Sequence, residues 1–274
     1  MKKLFRKKRT WVLLVLALLL FLWWFGTFTL TTTEVTLTSN KLKNDITIVQ
    51  LTDLHGASYG RDNAALIRLI GKQEPDLIAC TGDMASAGDE KGRQTALSLL
   101  SRLAETYPVY FVNGEHDHTP AFLDSLREAG VHVLDYTTET VTVGDTTLRL
   151  YGATSLYYSP TYDLTNEFTL DEEHYTILLA HIPNREKFAA FGTDLALCGD
   201  THGGQVRLPF AGPVYHQGAW FPKLTARGNP IDDKGLFTEG DFHLFISSGL
   251  GNFPVPLRIF NRPEIAVIHL QPAA

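Results

Sequence analysis

Acidic and imidazole side chains recur at five places along this 274-residue chain, each directly after a short apolar run. Ile46–Leu51 is followed by Thr52-Asp53-Leu54-His55, and Leu77–Cys80 by Thr81-Gly82-Asp83. Val109–Val112 leads into Asn113-Gly114-Glu115-His116-Asp117, Thr176–Ala180 into His181, and Leu195–Cys198 into Gly199-Asp200-Thr201-His202. Taken singly, an Asp beside a Gly is an ordinary turn or cap residue. Taken as an ordered set, the donors are carboxylates and imidazoles without thiolate, which suits divalent Mn, Mg, Fe or Zn. A carboxylate can bridge two cations, which an imidazole cannot. Two cations about 3.5–4 Å apart can clamp a phosphoryl group, generate hydroxide and stabilise a leaving oxygen. Gly82, Gly114 and Gly199 allow tight turns that keep backbone clear of the ions.

Convergence of these residues requires elements that end at one place. Runs of four to six apolar residues bounded by turns read as buried strands. Between them, Asn63–Gln73, Gly92–Thr106 and Pro120–Ala129 carry helical periodicity, with Pro120 suited to a first turn. Glu139–Val143 and Thr146–Tyr151 alternate around Gly144-Asp145, as a β-hairpin does. Gln205–Leu208, His243–Ser247 and Ile265–Leu270 read as further strands, so the second half is richer in β structure. Two sheets packed face to face with helices outside accommodate this order. Open α/β sheets bind ligands beyond the carboxyl ends of their strands, where the five blocks lie.

The first 30 residues are of another kind. Lys2, Lys3, Arg6, Lys7, Lys8 and Arg9 precede an uncharged run from Trp11 to Leu30. As a helix this run is about 30 Å long, the thickness of a bilayer core. It is longer and bulkier than a cleavable signal peptide, and no small-x-small site follows. The expectation is a basic cytoplasmic flank over residues 1–10, a transmembrane signal anchor over 11–30 and a connector over 31–45 with an edge strand at Glu34–Thr38. Residues 46–274 then form a domain on the extracytoplasmic side of the cell membrane. Six of the 24 Lys+Arg lie in the flank, so 18 face all 30 Asp+Glu in the remainder, a net charge of −12. Such a domain is a poor partner for nucleic acid. Cys80 and Cys198 sit in apolar runs and read as core residues that could approach one another, with no disulfide framework. Arg207 and Arg258 read as surface residues paired with acids, with phosphate binding as the alternative. Phe210–Phe221 reads as a packed loop or a substrate-facing lid near the bilayer.

The order Asp-x-His, Gly-Asp, Gly-x-His-Asp, His, Gly-x-x-His resembles the calcineurin-like metallophosphoesterase superfamily. The runs Gly203–Pro209 and Asn261–Ile265 resemble its membrane-associated or exported bacterial branch, and the resemblance extends over about residues 46–270. It implies a four-layer α/β/β/α sandwich of two mixed sheets, preceded here by one N-terminal transmembrane helix. It implies one metal held by Asp53, His55, Asp83 and His202. A second would be held by Asp83 as bridge, the residue at 115, His181 and the residue at 200. It places His116 near the scissile ester as general acid or charge stabiliser, with Asp117 set to orient it. The function implied is a phosphoesterase, first of all a phosphodiesterase, acting by metal-bound hydroxide on an envelope or lipid-linked ester. Two positions depart from type, since Glu115 stands where Asn is usual and Asp200 where His is usual. Both fall on the second metal and raise the protein's carboxylates from two to four. The expected consequences are a preference for hard Mn²⁺ or Mg²⁺ over Zn²⁺, a pH optimum moved upward, and carboxylate repulsion without metal. If the replacements instead disable the chemistry, the domain is a metal- or ligand-binding envelope module.

Overall fold

The computed structural model describes residues 2–154, 162–225 and 231–273, with side chains from Arg9 onward, so the basic side chains at 2–8 lie outside the described residues. Helix α1 (Lys2–Phe28) includes a 20-residue apolar stretch, Arg9–Phe28, with mean hydropathy 2.3 and almost wholly exposed side chains. That is the length and composition of a membrane span or a signal sequence.

The remainder is built on two six-stranded mixed sheets. In the first, the order is β1 (Thr31–Ser39), β16 (Glu264–Pro272), β2 (Ile46–Leu51), β3 (Leu77–Cys80), β4 (Val109–Phe111) and β5 (His132–Val133). β2 through β5 run parallel, and β16 is antiparallel to β2. In the second, the order is β14 (Gly235–Glu239), β15 (Phe242–Ile246), β9 (Leu195–Cys198), β8 (Tyr175–Ala180), β7 (Thr146–Ala153) and β6 (Thr138–Val143). β15, β9, β8 and β7 are parallel, with an antiparallel strand at each edge.

Side-chain alternation along the central strands divides the core into layers. Ile46, Ile48, Leu77 and Ala79 meet Leu148, Ile177, Leu179 and Leu197 between the sheets. Val49, Leu51, Ile78 and Cys80 face the other way, onto helices α2 (Ala64–Gly71), α3 (Glu90–Ala104) and α4 (Pro120–Glu128). Leu178, Ala180, Ala196 and Cys198 face outward from the second sheet onto α5 (Arg185–Phe191) and Phe168. The fold is thus the expected α/β/β/α sandwich. Each central strand is apolar on both faces because each is covered on both.

Two expectations change. The strand at 34–38 extends over Thr31–Ser39 and pairs along its whole length with β16, so most of the connector belongs to the first sheet. Cys80 and Cys198 are fully buried free thiols on the outer faces of different sheets and do not approach one another. The segment 206–225 forms two small ribbons, β10 (Arg207–Leu208) with β11 (Gly212–Pro213) and β12 (Tyr215–His216) with β13 (Ala219–Trp220), and then a short helix α6 (Pro222–Thr225).

Candidate active site

The parallel strands of both sheets end on one side of the sandwich, and their following turns bring the blocks together. Asp53 follows β2, Asp83 follows β3, His181 follows β8, and Asp200 and His202 follow β9. The site centres on Asp53, which is fully buried, and Asp83, nearly so. His181 Nε2 lies 3.2 Å from Asp83 Oδ2, 4.0 Å from Asp53 Oδ1 and 3.9 Å from Asp200 Oδ1. His202 Nε2 is 3.7 Å from Asp53 Oδ1, and His55 Nε2 is 3.9 Å from Asp83 Oδ2. His116 Nε2 approaches the same Asp83 oxygen at 3.9 Å from the solvent side.

The turns that hold these groups are strained. Asp53, His55, Asp83, Asp200 and His202 all have φ between 46° and 68°, in the left-handed region that L side chains rarely occupy. Such strain persists where surrounding contacts over-determine it, and it concentrates at functional sites. Those contacts are visible. The Asp53 N–H donates to Gly82 O at 2.9 Å and the His55 N–H to Asp83 O at 3.0 Å. The Asp200 N–H donates to the Asp53 carboxylate at 3.1 Å, and the His116 N–H to Asp83 Oδ1 at 3.0 Å. A Cβ at Gly114 would overlap the Asp83 carboxylate, and one at Gly199 would overlap Thr52 and Asp53, so both positions require glycine.

The imidazoles are presented for ligation. His181 Nδ1 donates to Thr81 O at 2.7 Å, which fixes the ring orientation and turns Nε2 toward three carboxylates, a position from which the neutral ring could ligate a cation. His55 Nδ1 lies 3.0 Å from Ser86 Oγ, a hydroxyl that holds the ring in place. Among the described residues, His55 Nε2, His181 Nε2 and His202 Nδ1 are buried without a hydrogen-bond partner, an expensive state for polar atoms. Ligand atoms of Asp53, His55 and His202 lie within 4.8 Å of one another, as do those of Asp53, Asp83 and His181. Two clusters sharing a carboxylate are consistent with a dinuclear metal centre, and the donor set fits divalent cations.

The electrostatics agree. Burial, reinforced by the charges of Asp83 and Asp200 and offset by His181, raises the Asp53 carboxyl to about 7. Burial also raises Asp200, with His181 opposing and Glu115 and Asp83 adding to the rise. Burial works against ionised Asp83, yet His181, the His116 amide and His55 hold it at about 2. Burial likewise opposes a charged His181, but Asp83, Asp53 and Asp200 raise it well above the ordinary range. Burial lowers His55 to about 4 and puts His202 well below its usual value, with Arg258 adding to the effect on both. Three carboxylates around one imidazolium hold excess negative charge, which bound cations would neutralise.

Glu115 stands apart. Its carboxylate is exposed and makes no hydrogen bond or ion pair among the described residues, although its charge reaches Asp200. Asp117 does not orient His116. It is fully buried and accepts the N–H groups of Met84 and Gly114 at 2.7 Å each, tying two site loops together. Arg258 is not a surface residue either. Its guanidinium is buried and donates to Ser248 O at 2.7 Å and Gly251 O at 2.6 Å. Arg207 pairs with buried Asp233 at 2.8 Å, as an ion pair, and also donates to Gly203 O. Phe253 was not anticipated. Its ring stacks on His55 at 4.8 Å and tilts over His116 at 4.9 Å, forming a partly exposed cap. The strand before it was legible, but no acid or imidazole follows to mark the loop.

Residues 46–205 match the family profile described as calcineurin-like phosphoesterase. The chain is 29% identical to the uncharacterized metallophosphoesterase YkuE of Bacillus subtilis (strain 168), over 88% of this chain and 85% of that protein. It is 28% identical to the phosphodiesterase YaeI of Escherichia coli (strain K12), over 73% of this chain and 72% of that one. A bovine transmembrane protein with a metallophosphoesterase domain shares 28% identity over 84% of this chain, which spans 54% of the bovine protein. With the matched segment reaching over more than half its length and ending on the same Asp and His blocks that converge in space, this chain belongs to the calcineurin-like phosphoesterases, a family of metal-dependent phosphate-ester hydrolases.

Proposed function

We propose that the protein is a membrane-anchored phosphodiesterase whose domain lies outside the cytoplasmic membrane and acts on an envelope or lipid-linked phosphate ester. The observation that carries the chemistry is the meeting of Asp53 and Asp83 with His55 Nε2 and His181 Nε2, two buried nitrogens without a hydrogen bond among the described residues, and with His202 Nε2. Asp53, His55, Asp83 and His202 would hold one cation, and Asp83, His181 and Asp200 the other, with Glu115 swinging in from the rim. Two divalent ions, Mn²⁺ or Mg²⁺ before Fe or Zn, would polarise the phosphoryl oxygens and acidify the attacking water. His116, half-exposed and fixed through its own amide to Asp83, would protonate or stabilise the leaving oxygen. Phe253 would shield the His55–His116 side from bulk water.

The diester preference is taken from the Escherichia coli relative, a phosphodiesterase. Anchoring is supported by packing. Gly26 and Thr27 of α1 are buried against Arg258, so removal of the helix would uncover part of the domain's own core. A screen of phosphate mono- and diesters with the full chain in detergent, supplied in turn with Mn²⁺, Mg²⁺, Zn²⁺ and Ca²⁺, tests the reading. Diester turnover with Mn²⁺ or Mg²⁺ supports it, and no turnover with any cation at any pH would leave a binding module.

A further inference from the structure

The last two turns of α1 are locked to the segment 251–262. Trp23 Nε1 donates to Pro256 O at 2.8 Å, and the Arg258 N–H donates to Thr27 Oγ1 at 3.1 Å. The Arg262 guanidinium lies 4.6 Å from the centroid of the Phe25 ring. If the apolar helix lies in a bilayer, its final turns mark the boundary where aromatic rings settle. Everything fixed to those turns is then held at that depth.

Two connections run from this boundary to the active site. Phe253 stacks on His55 and His116, as described. Pro254, with Val206, Val214, Tyr215 and Trp220, lines a mainly apolar cavity of about 640 Å³ that also reaches Asp200 and His202. This is within the range of ligand pockets, about 300–1,000 Å³. The cavity wall is tied to the helix-docked segment by the Arg207 N–H, which donates to Ile259 O at 2.9 Å. Trp220 in its wall and Phe210, Val255, Leu257 and Phe260 in the loops that contribute to it or follow it in sequence are exposed, more large apolar surface than a water-facing loop region normally displays.

We propose that this cavity takes the hydrocarbon chain of a membrane lipid while the metal site takes its phosphate ester. The substrate class is a lipid phosphate ester resident in the leaflet beneath the domain. The inference rests on the phosphoesterase reading above. A mainly apolar cavity with Asp200 and His202 in its wall matches a ligand with a phosphate at one end and a chain at the other. The exposed aromatic residues settle the rim into the headgroup layer, so the chain need not cross water.

The test uses the full chain in phosphatidylcholine vesicles with Mn²⁺ and a series of alkyl 4-nitrophenyl phosphates, from ethyl to octyl. Burial of each added methylene should raise kcat/KM, by at least about tenfold across the series. Trp220→Ser with Tyr215→Ser, both at exposed positions, should reduce that octyl-to-ethyl ratio to about twofold or less. A ratio near one in the unaltered protein overturns the inference. A high ratio that survives both substitutions means the probes merely partition into the bilayer, and overturns it too. Loss of turnover on every ester, ethyl included, would remove the phosphoesterase reading and this inference with it.

Discussion

Thr27 and Arg258 meet, both fully buried, where the apolar helix joins the domain: the Arg258 N–H donates to the Thr27 hydroxyl, while the Arg258 guanidinium spans the carbonyls of Ser248 and Gly251. Gly251 in turn donates its N–H to the Asp53 carbonyl. The helix end and the metal-site turn are therefore three hydrogen bonds apart, through Arg258 and Gly251. Thr27→Val keeps the shape and deletes the acceptor, leaving a buried N–H unpaired at a cost of about 1–3 kcal/mol. Chemical unfolding of the full chain in detergent should show that loss, and an unchanged midpoint would mean the junction contributes nothing to the fold.

His116→Ala should leave the metal complement intact, because the residue's tie to Asp83 is through its backbone amide. Turnover should fall by about 10²–10⁴-fold if the imidazole serves the leaving group. Metal analysis of the purified variant beside its kcat separates this from site collapse. Equal loss of metal and activity would reassign His116 to a structural role.

Much of this was legible because the chemistry follows strand ends. Five of the seven expected ligands fall in two clusters that share Asp53, Asp200 lies 3.9 Å from His181, and the helices and strands fall close to their expected ranges. What the sequence concealed was tertiary. Arg258 looks like any surface arginine until the carbonyls around it are seen. Asp117 neighbours His116 in the chain, but its carboxylate points back into the turn. The edge strand read at Glu34–Thr38 runs on to Thr31 and Ser39, because its backbone pairs with β16 over nine residues, a length that side-chain pattern alone does not mark. Phe253 reaches the site from a loop without polar markers.

Glu115 and Asp200 set up a prediction about metal choice. With two extra carboxylates the second position should favour Mn²⁺ or Mg²⁺ over Zn²⁺. Converting Glu115→Asn and Asp200→His together should shift preference toward Zn²⁺, read as the ratio of activities in the two metals after stripping and reloading. An unchanged ratio would show that neither side chain touches a cation.

Glu264 links pH to stability away from the cluster. It is buried, and burial opposes its charge. Lys234 at 3.1 Å, the Ser248 N–H at 2.8 Å and the Thr33 hydroxyl at 2.7 Å nonetheless hold its carboxyl below the usual glutamate range. A depressed folded-state value contributes stability that is full above about 4.5 and is lost as pH falls through the folded value. Glu264→Gln should cost about 2–4 kcal/mol near neutral pH by stranding Lys234, and should flatten the acid limb of a stability–pH curve. A variant whose acid limb still parallels the parent's would assign that limb to other groups.

Asp83 belongs to one cluster and also faces His55 of the other at 3.9 Å, beside His181 at 3.2 Å, so its loss should cost both. Asp83→Asn should lower turnover by at least about 10³-fold, the several kcal/mol a metal pair supplies to the transition state. Retained turnover would move the bridge elsewhere.

Titrating Mn²⁺ into the metal-stripped full chain while following bis(4-nitrophenyl) phosphate hydrolysis addresses the shared-carboxylate site itself. The structure predicts that two equivalents bind and that turnover appears with the second. Hydrolysis indifferent to metal, or saturation at a single equivalent, would contradict a paired-cation centre built on Asp53 and Asp83.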